Sequence, residues 1–201
     1  MRVLIACEHT GAVRDAFIRA GHDAMSCDLL DTETPGPHYM GDVRDVLGDG
    51  WDLMVAHPPC TYLSVSGLHW NGRVPGRSLK TEEGLAFVRL LMFCDIPRIA
   101  IENPVSCIST RIRKPDQVIQ PWQFGHPESK ATCLWLKALP RLVPTNDIYQ
   151  HMMTLPLKER TRCHYTPPGS NRWKLRSATY SGIADAMAQQ WSAPAQMEIA
   201  A

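Results

Sequence analysis

Four short apolar runs restrict what this chain can fold into: Arg2-Val3-Leu4-Ile5-Ala6, Ala24-Met25-Ser26-Cys27-Asp28, Trp51-Asp52-Leu53-Met54-Val55-Ala56 and Arg98-Ile99-Ala100-Ile101. Each is short, apolar and bounded by turn or charged residues, which suits a buried strand better than a helix. Residues 13 to 20 carry apolar side chains at helical spacing and are closed by Gly21. A helix is also expected from Thr81 through Cys94, and a last one from Gly182 to Trp191, with Ile183, Met187 and Trp191 on one face. Strands alternating with helices predict an α/β fold built on a parallel sheet. Beyond residue 104 the pattern loosens: residues 121 to 127 read as turn, 131 to 136 as strand, and 140 to 157 as irregular.

The chain has 201 residues, 44% of them hydrophobic, enough for one compact domain. No apolar run approaches the roughly 20 residues that cross a bilayer, and Glu8 interrupts the first run too early for a signal peptide, so a cytoplasmic protein without a membrane partner is expected. The seven cysteines lie far apart with no Cys-x-x-Cys pair, which argues for reduced thiols over disulfides or a zinc ribbon. Cys7, His9, His57 and Cys60 supply metal-type ligands, but no pair comes from one turn in a recognised pattern, and no metal is expected.

In parallel α/β sheets ligands collect beyond the carboxyl ends of the strands. Five polar loops fall there: Cys7-Glu8-His9-Thr10-Gly11, Asp28, Asp42, His57-Pro58-Pro59-Cys60 and Glu102-Asn103-Pro104. Two prolines force an extended, rigid exit from the third apolar run and hold Cys60 in one place. A thiol attacks as thiolate, and backbone N–H groups or a cation such as His57 are expected to lower the Cys60 pKa. The alternative is a buried structural cysteine. Glu102 brings a carboxylate that can bond or protonate a ring nitrogen, so that a conjugated heterocycle accepts the thiolate. The alternative for Glu102-Asn103-Pro104 is a cap on the next segment.

In this order these residues resemble the DNA (cytosine-5) methyltransferase family, especially its short phage-type members, over most of the chain. Pro59-Cys60 matches the catalytic Pro-Cys signature, with Ser64 and Gly67 where a Ser and a Gly usually follow, and Ile101-Glu102-Asn103-Pro104 matches the Glu-Asn dipeptide. Gly41-Asp42-Val43 resembles the loop that meets the cofactor adenine, Asp28 stands where the ribose carboxylate should be, and residues 178 to 184 resemble the segment closing the cofactor pocket. The resemblance implies an α/β, Rossmann-like S-adenosylmethionine-dependent methyltransferase sheet with a small irregular C-terminal extension. Its implied catalytic set is Cys60, Glu102, Pro59 and Asn103, with Cys60 adding to C6 of cytosine in DNA while Glu102 engages N3. Cofactor contacts would come from Cys7, Glu8, His9, Thr10, Gly11, Asp28, Asp42, Val43, His57, Pro58, Thr179 and Ile183.

Several features depart from that family. The cofactor loop Phe-x-Gly-x-Gly is replaced by residues 6 to 11, where Gly11 alone matches, and Glu8 is a substitute acceptor for the cofactor amino group. The arginine-rich strand that grips the target nucleotide is reduced to residues 125 to 132, with Lys130 as the surviving cation. About forty residues separate Leu136 from Arg176, too few for an ordinary recognition domain, so sequence preference should be short or absent unless a second subunit, in a homo-oligomer, supplies it. The expected organisation is a catalytic core over 1–140, a reduced DNA-facing region over 141–176 and a C-terminal helix over 177–201.

Residues 1 to 102 carry 9 Lys/Arg and 14 Asp/Glu, whereas 103 to 201 carry 12 and 6. The second half therefore suits a polyanion, or simply a solvated surface. DNA contact is expected from Ser64, Lys130, Arg160, Arg162, Arg172, Trp173, Lys174 and Arg176, cations with an aromatic among them that suit phosphate contact and base stacking. Two other functions stay open at this point: alkylation of a free pyrimidine nucleotide, or transfer from another one-carbon donor, and a non-catalytic DNA- or partner-binding role. A phage-encoded enzyme of this kind would work in the bacterial host cytoplasm.

Overall fold

In the computed structural model, which describes residues 1–167, 169, 172, 176 and 178–192, the apolar runs become neighbouring strands of one sheet. The chain runs β1 (Arg2–Ala6), α1 (Ala12–Arg19), β2 (Asp23–Asp28), β3 (His38–Met40) and β4 (Leu53–Ala56). It continues through α2 (Val65–Leu68), α3 (Arg77–Met92), β5 (Arg98–Pro104), α4 (Ile108–Arg111), β6 (Gln117–Ile119) and β7 (Thr132–Lys137). Short helices α5 (Tyr149–Thr154), α6 (Leu157–Arg160) and α7 (Arg162–Tyr165) precede α8 (Ser181–Trp191). Among the described residues the strand order is β3-β2-β1-β4-β5-β7-β6.

The first five strands in that order are parallel, as expected, but β7 runs antiparallel to both β5 and β6. The sheet is therefore mixed, not purely parallel. Alternation of elements predicts parallel pairing only where a helix returns the chain, and the path from β6 to β7 carries no such crossover. The result is an α/β sheet with helices on both faces.

Each face is sealed by side chains that alternate along the strands. On one side Leu4, Ala6, Met54, Ala56, Ile99 and Ile101 pack against Leu85, Val88 and Leu91 of α3. On the other, Val3, Ile5, Leu53, Val55 and Ala100 meet Val13, Ala16 and Phe17 of α1 and Ile183, Met187 and Trp191 of α8. The α8 contact requires Gly182, where a Cβ would stand 2.0 Å from the Phe124 carbonyl oxygen. Trp191 is wholly buried, and its indole N–H donates to the Pro140 carbonyl at 3.0 Å. The 140–157 stretch, expected to be irregular, contains α5, which places Met152 in the interior.

Candidate active site

Register explains the site. Ala6 pairs with Cys27 on one side and Ala56 on the other, and Ala56 pairs with Ile101. The next residue of each strand is therefore Asp28, Cys7, His57 or Glu102, so four polar or titratable side chains line one edge of the sheet at the spacing of adjacent strands.

At the end of β4 the two prolines carry the backbone from buried Pro58 to exposed Pro59 and on to part-exposed Cys60. Asn103 is buried and its side-chain amide donates to the Pro58 carbonyl at 2.8 Å. The Cys60 carbonyl then accepts the N–H groups of Leu63 and Ser64, at 3.0 and 2.9 Å, turning the chain into α2. Proline stiffness and the Asn103 bond together hold the thiol in place.

Glu102 meets His57 next to this loop: His57 Nδ1–H donates to Glu102 Oε2 at 2.8 Å, with the side chains only 12% and 16% exposed. Burial works to lower the His57 pKa, but the hydrogen bond and charge of Glu102 outweigh it and hold His57 above its ordinary value. Burial likewise opposes ionisation of Glu102, and His57 and Lys130 overcome it, so that carboxyl sits below its ordinary value. Cys60 differs from the sequence expectation. Burial first, and the Glu102 charge second, push its thiol pKa up, against a smaller opposing pull from its own backbone, Lys130 and Arg176. The shift therefore favours the thiol form, and its two largest causes are burial and the neighbouring carboxylate.

Beside Pro59 lies a cavity of about 200 Å³ lined in part by Cys7, Asp28, Asp42, Val43, Arg44 and Phe87. Asp28 uses Oδ1 to accept the Leu30 N–H at 3.0 Å, and its other oxygen makes no hydrogen bond among the described residues. Asp42 caps the turn of 3₁₀ helix at Val43–Asp45, accepting the Arg44 N–H at 2.9 Å and its guanidinium at 2.8 Å. The Arg44 guanidinium in turn stands 5.4 Å from the Phe87 ring centre. Burial first and Asp28 second push the Cys27 thiol up to about 12, and the same causes raise Cys7. These two thiols are inert parts of the wall. Phe87, Leu29 and Arg44 had not been singled out in the sequence. Phe87 lies on α3, far along the chain, and no local pattern marks it.

Of the remaining loop residues, Glu8, His9, Thr10 and Gly11 do not line this cavity. Glu8 is buried and its two carboxylate oxygens accept the N–H groups of Val13 and Arg14 at 2.8 and 3.2 Å, so it caps α1 and faces the positive end of that helix. Thr10 donates to Glu8, and His9 pairs with Glu33 at 3.6 Å. Gly11 holds φ +77° against Thr34 and Arg14, where a side chain has no room. His57 and Pro58 also stand off the cavity, one bonded to Glu102 and the other to Asn103. Thr179 and Ile183 line a separate small cleft with Glu102, Lys130, Thr132 and Tyr180.

Lys130 reaches over the Tyr180 ring at 5.5 Å. Arg162 pairs with buried Glu128 at 2.6 Å, which also accepts the Tyr180 hydroxyl at 3.0 Å. The Arg160 carbonyl accepts the Ser129 N–H, and the Ser64 hydroxyl bonds that of Ser66. Arg172 and Arg176 are described; Trp173 and Lys174 lie outside the described residues. A second basic and aromatic surface follows Cys60: Tyr62 and Trp70 are exposed, with the guanidinium of Arg77 4.9 Å from the tyrosine ring and that of Arg73 5.7 Å from the indole. From Thr61 to Thr81 the sequence has no acidic residue, a signal that was readable in advance. Among the described residues no three His, Cys, Asp or Glu side chains are grouped to hold a metal, and no helix is long and apolar enough to cross a membrane.

No family model and no curated protein matches the chain. Among solved structures, it is similar to a protein assigned as a DNA modification methyltransferase encoded within an E. coli prophage, at 14% identity and a TM-score of 0.45, covering 68% of this chain and 46% of that one. It is also similar to the Dnmt2 methyltransferase of S. pombe, at 16% identity and a TM-score of 0.45, covering 87% of this chain and 62% of that one. The chain thus spans about half to three-fifths of the length of these two structures.

Proposed function

We propose that the protein transfers a methyl group to C5 of cytosine in DNA, with Cys60 as nucleophile, Glu102 as the group that engages N3 and S-adenosylmethionine as donor. The observation that carries this reading is the strand-end row, in which the Pro59-Cys60 loop and Glu102 stand on one edge beside the cavity at Asp28 and Asp42. The cavity suits the cofactor: the oxygen of Asp28 that makes no hydrogen bond offers an acceptor for ribose hydroxyls, and Val43, Leu29 and Phe87 offer apolar surface for a purine. Asp42 keeps acceptor capacity for an amino group, since a carboxylate has about four lone-pair sites. Bound there, S-adenosylmethionine supplies an electrophilic methyl carbon for C5 of the ring.

The chain's own residues prepare that carbon. Cys60 loses its proton to water, and its sulfur pair forms the S–C6 bond while the C5–C6 π electrons move towards C5. Glu102 at N3 stabilises the enamine that results. In the second half the C5 proton leaves to water, its electron pair restores the C5–C6 double bond, and the S–C6 bond breaks with Cys60 departing as thiolate. Lys130, charged and close enough to favour the Cys60 thiolate, offsets the cost of ionising a part-buried sulfur. A base in a duplex must leave the stack to reach such a site. The surface of exposed Tyr62, Trp70 and Arg73 and half-buried Arg77, with Arg160, Arg162, Arg172 and Arg176, supplies stacking faces and phosphate contacts for the strand around it.

The test is methyl transfer from labelled S-adenosylmethionine to cytosine in DNA. Cys60→Ser should lower the rate by on the order of 10³-fold or more, since the nucleophile acts as a unit with its partners. Undiminished transfer by that variant would overturn the mechanism. A second reading, alkylation of a free pyrimidine nucleotide, is favoured by the small segment between β7 and α8, residues 138–180. Mass analysis of dCMP incubated under the same conditions decides between them.

A further inference from the structure

Resting on the function proposed above, we propose that His57 is the positioning residue of the site, aiming the Glu102 carboxylate and storing the proton that Glu102 relays to the substrate ring. The pair is a product of register. β4 and β5 match Ala56 to Ile101, so His57 and Glu102 are successive next residues on adjacent parallel strands and point to the same side of the sheet. The Nδ1–Oε2 bond of 2.8 Å takes one carboxylate oxygen. Glu102 also lines the cleft with Lys130, Thr132 and Tyr180, and with Oε2 taken by His57, Oε1 is the oxygen assigned to the ring nitrogen.

The surroundings make the two charges depend on each other. Glu8, from the loop after β1, adds a second negative field at His57, and Lys130, from the segment before β7, opposes it. Lys130 also acts on Glu102, whose charge reaches the thiols of Cys60 and, on β7, Cys133. His57 Nε2 is buried with no hydrogen-bond partner among the described residues. An ionised Glu102 favours the imidazolium despite its unpaired interior N–H, and the His57 bond, together with Lys130, favours the ionised form of Glu102 in turn.

The proton balance is simple. The pair starts as imidazolium and carboxylate. The Nδ1 proton passes through the carboxyl group to N3, one N–H bond breaking as another forms, and leaves neutral imidazole with carboxylate. The ring gains one positive charge, cancelled when the thiolate adds at C6. The proton returns to the pair when the sulfur leaves.

Two variants of the full-length protein separate aiming from storage. His57→Asn keeps an N–H donor near the Nδ1 position but cannot release its proton; His57→Leu removes both. With labelled S-adenosylmethionine and cytosine DNA, His57→Leu should lower kcat by roughly 10²-fold with KM little changed, and His57→Asn should recover part of the loss. The basic limb of the wild-type kcat profile, set by loss of the stored proton, should be absent from the His57→Asn profile. Independently of turnover, the imidazole titration followed by NMR in the protein alone should lie above the ordinary 6.5 and fall in Glu102→Gln. An unchanged pH profile in His57→Asn, or an imidazole titration indifferent to Glu102→Gln, overturns the proposal. A wild type with the linked titration but no methyl transfer to cytosine overturns the functional reading and leaves the pairing of His57 with Glu102 supported.

Discussion

Asn103 acts on the candidate site through the backbone. Its bond to the Pro58 carbonyl ties β5 to the loop that carries Cys60, and its own side-chain oxygen is buried without a partner among the described residues. Asn103→Leu should destabilise the fold by about 1–3 kcal/mol, because a buried carbonyl loses its donor. Urea denaturation measures that loss, and methyl transfer should fall further than stability explains. The Cys60 thiol gives a second expectation at this scale. Because burial and Glu102 hold its pKa above the ordinary 9.0, alkylation by iodoacetamide should be slow at neutral pH and rise steeply only above pH 9. Mass spectrometry of the Cys60 peptide reads this directly, and fast labelling at pH 7 contradicts it. Cys60 and Glu102 were legible in the sequence because each stands at the end of an apolar run. The direction of the thiol shift was not, because it depends on how deeply the fold buries the sulfur and on the Glu102 charge brought in from the neighbouring strand.

At the scale of an element, α8 has a pH-sensitive start. The Gly182 N–H donates to His126 Nε2 at 3.0 Å, so the ring must be unprotonated there, and burial holds His126 below its ordinary value against the opposing charge of Glu128. A histidine with a depressed pKa in the folded state contributes stability above its unfolded value near 6.5, lost as pH falls through the folded value. The melting temperature of the wild type should therefore decline as pH is lowered from 7 towards 5. His126→Gln, which keeps an acceptor without titrating, should flatten that decline. His22 is shifted the same way, by burial first, and His57 the opposite way, so the comparison of His126→Gln with wild type isolates the α8 contribution. The element boundaries read from sequence came close. The helix expected over 81–94 begins earlier, at Arg77, and the last helix agrees to one residue, because both carry buried residues at regular spacing. The single antiparallel strand β7 was read as a strand with no sign of its direction, which is set by pairing partners and not by local composition.

For the whole molecule, charge and aromatic exposure decide how a polyanion would lie. The basic surface that follows Cys60 carries exposed aromatic side chains, and polyanion binding to it should be strongly salt dependent. Arg73→Gln should reduce the slope of log K against log salt for single-stranded DNA by about 0.7, the contribution of one phosphate contact. Fluorescence titration at several salt concentrations measures the slope, and an unchanged value would remove Arg73 from the interface.

The sequence alone determined five of the seven strands among the described residues, missing the short edge strands His38–Met40 and Gln117–Ile119, and that the loops carrying Cys60 and Glu102 share one edge, because apolar periodicity and proline stiffness are local properties. Only the tertiary structure decided how the acids are used. Glu8 caps α1, Asp28 borders the cavity, and Glu102 bonds His57. Those outcomes depend on register between strands and on the field of groups distant in the chain. No local pattern encodes either.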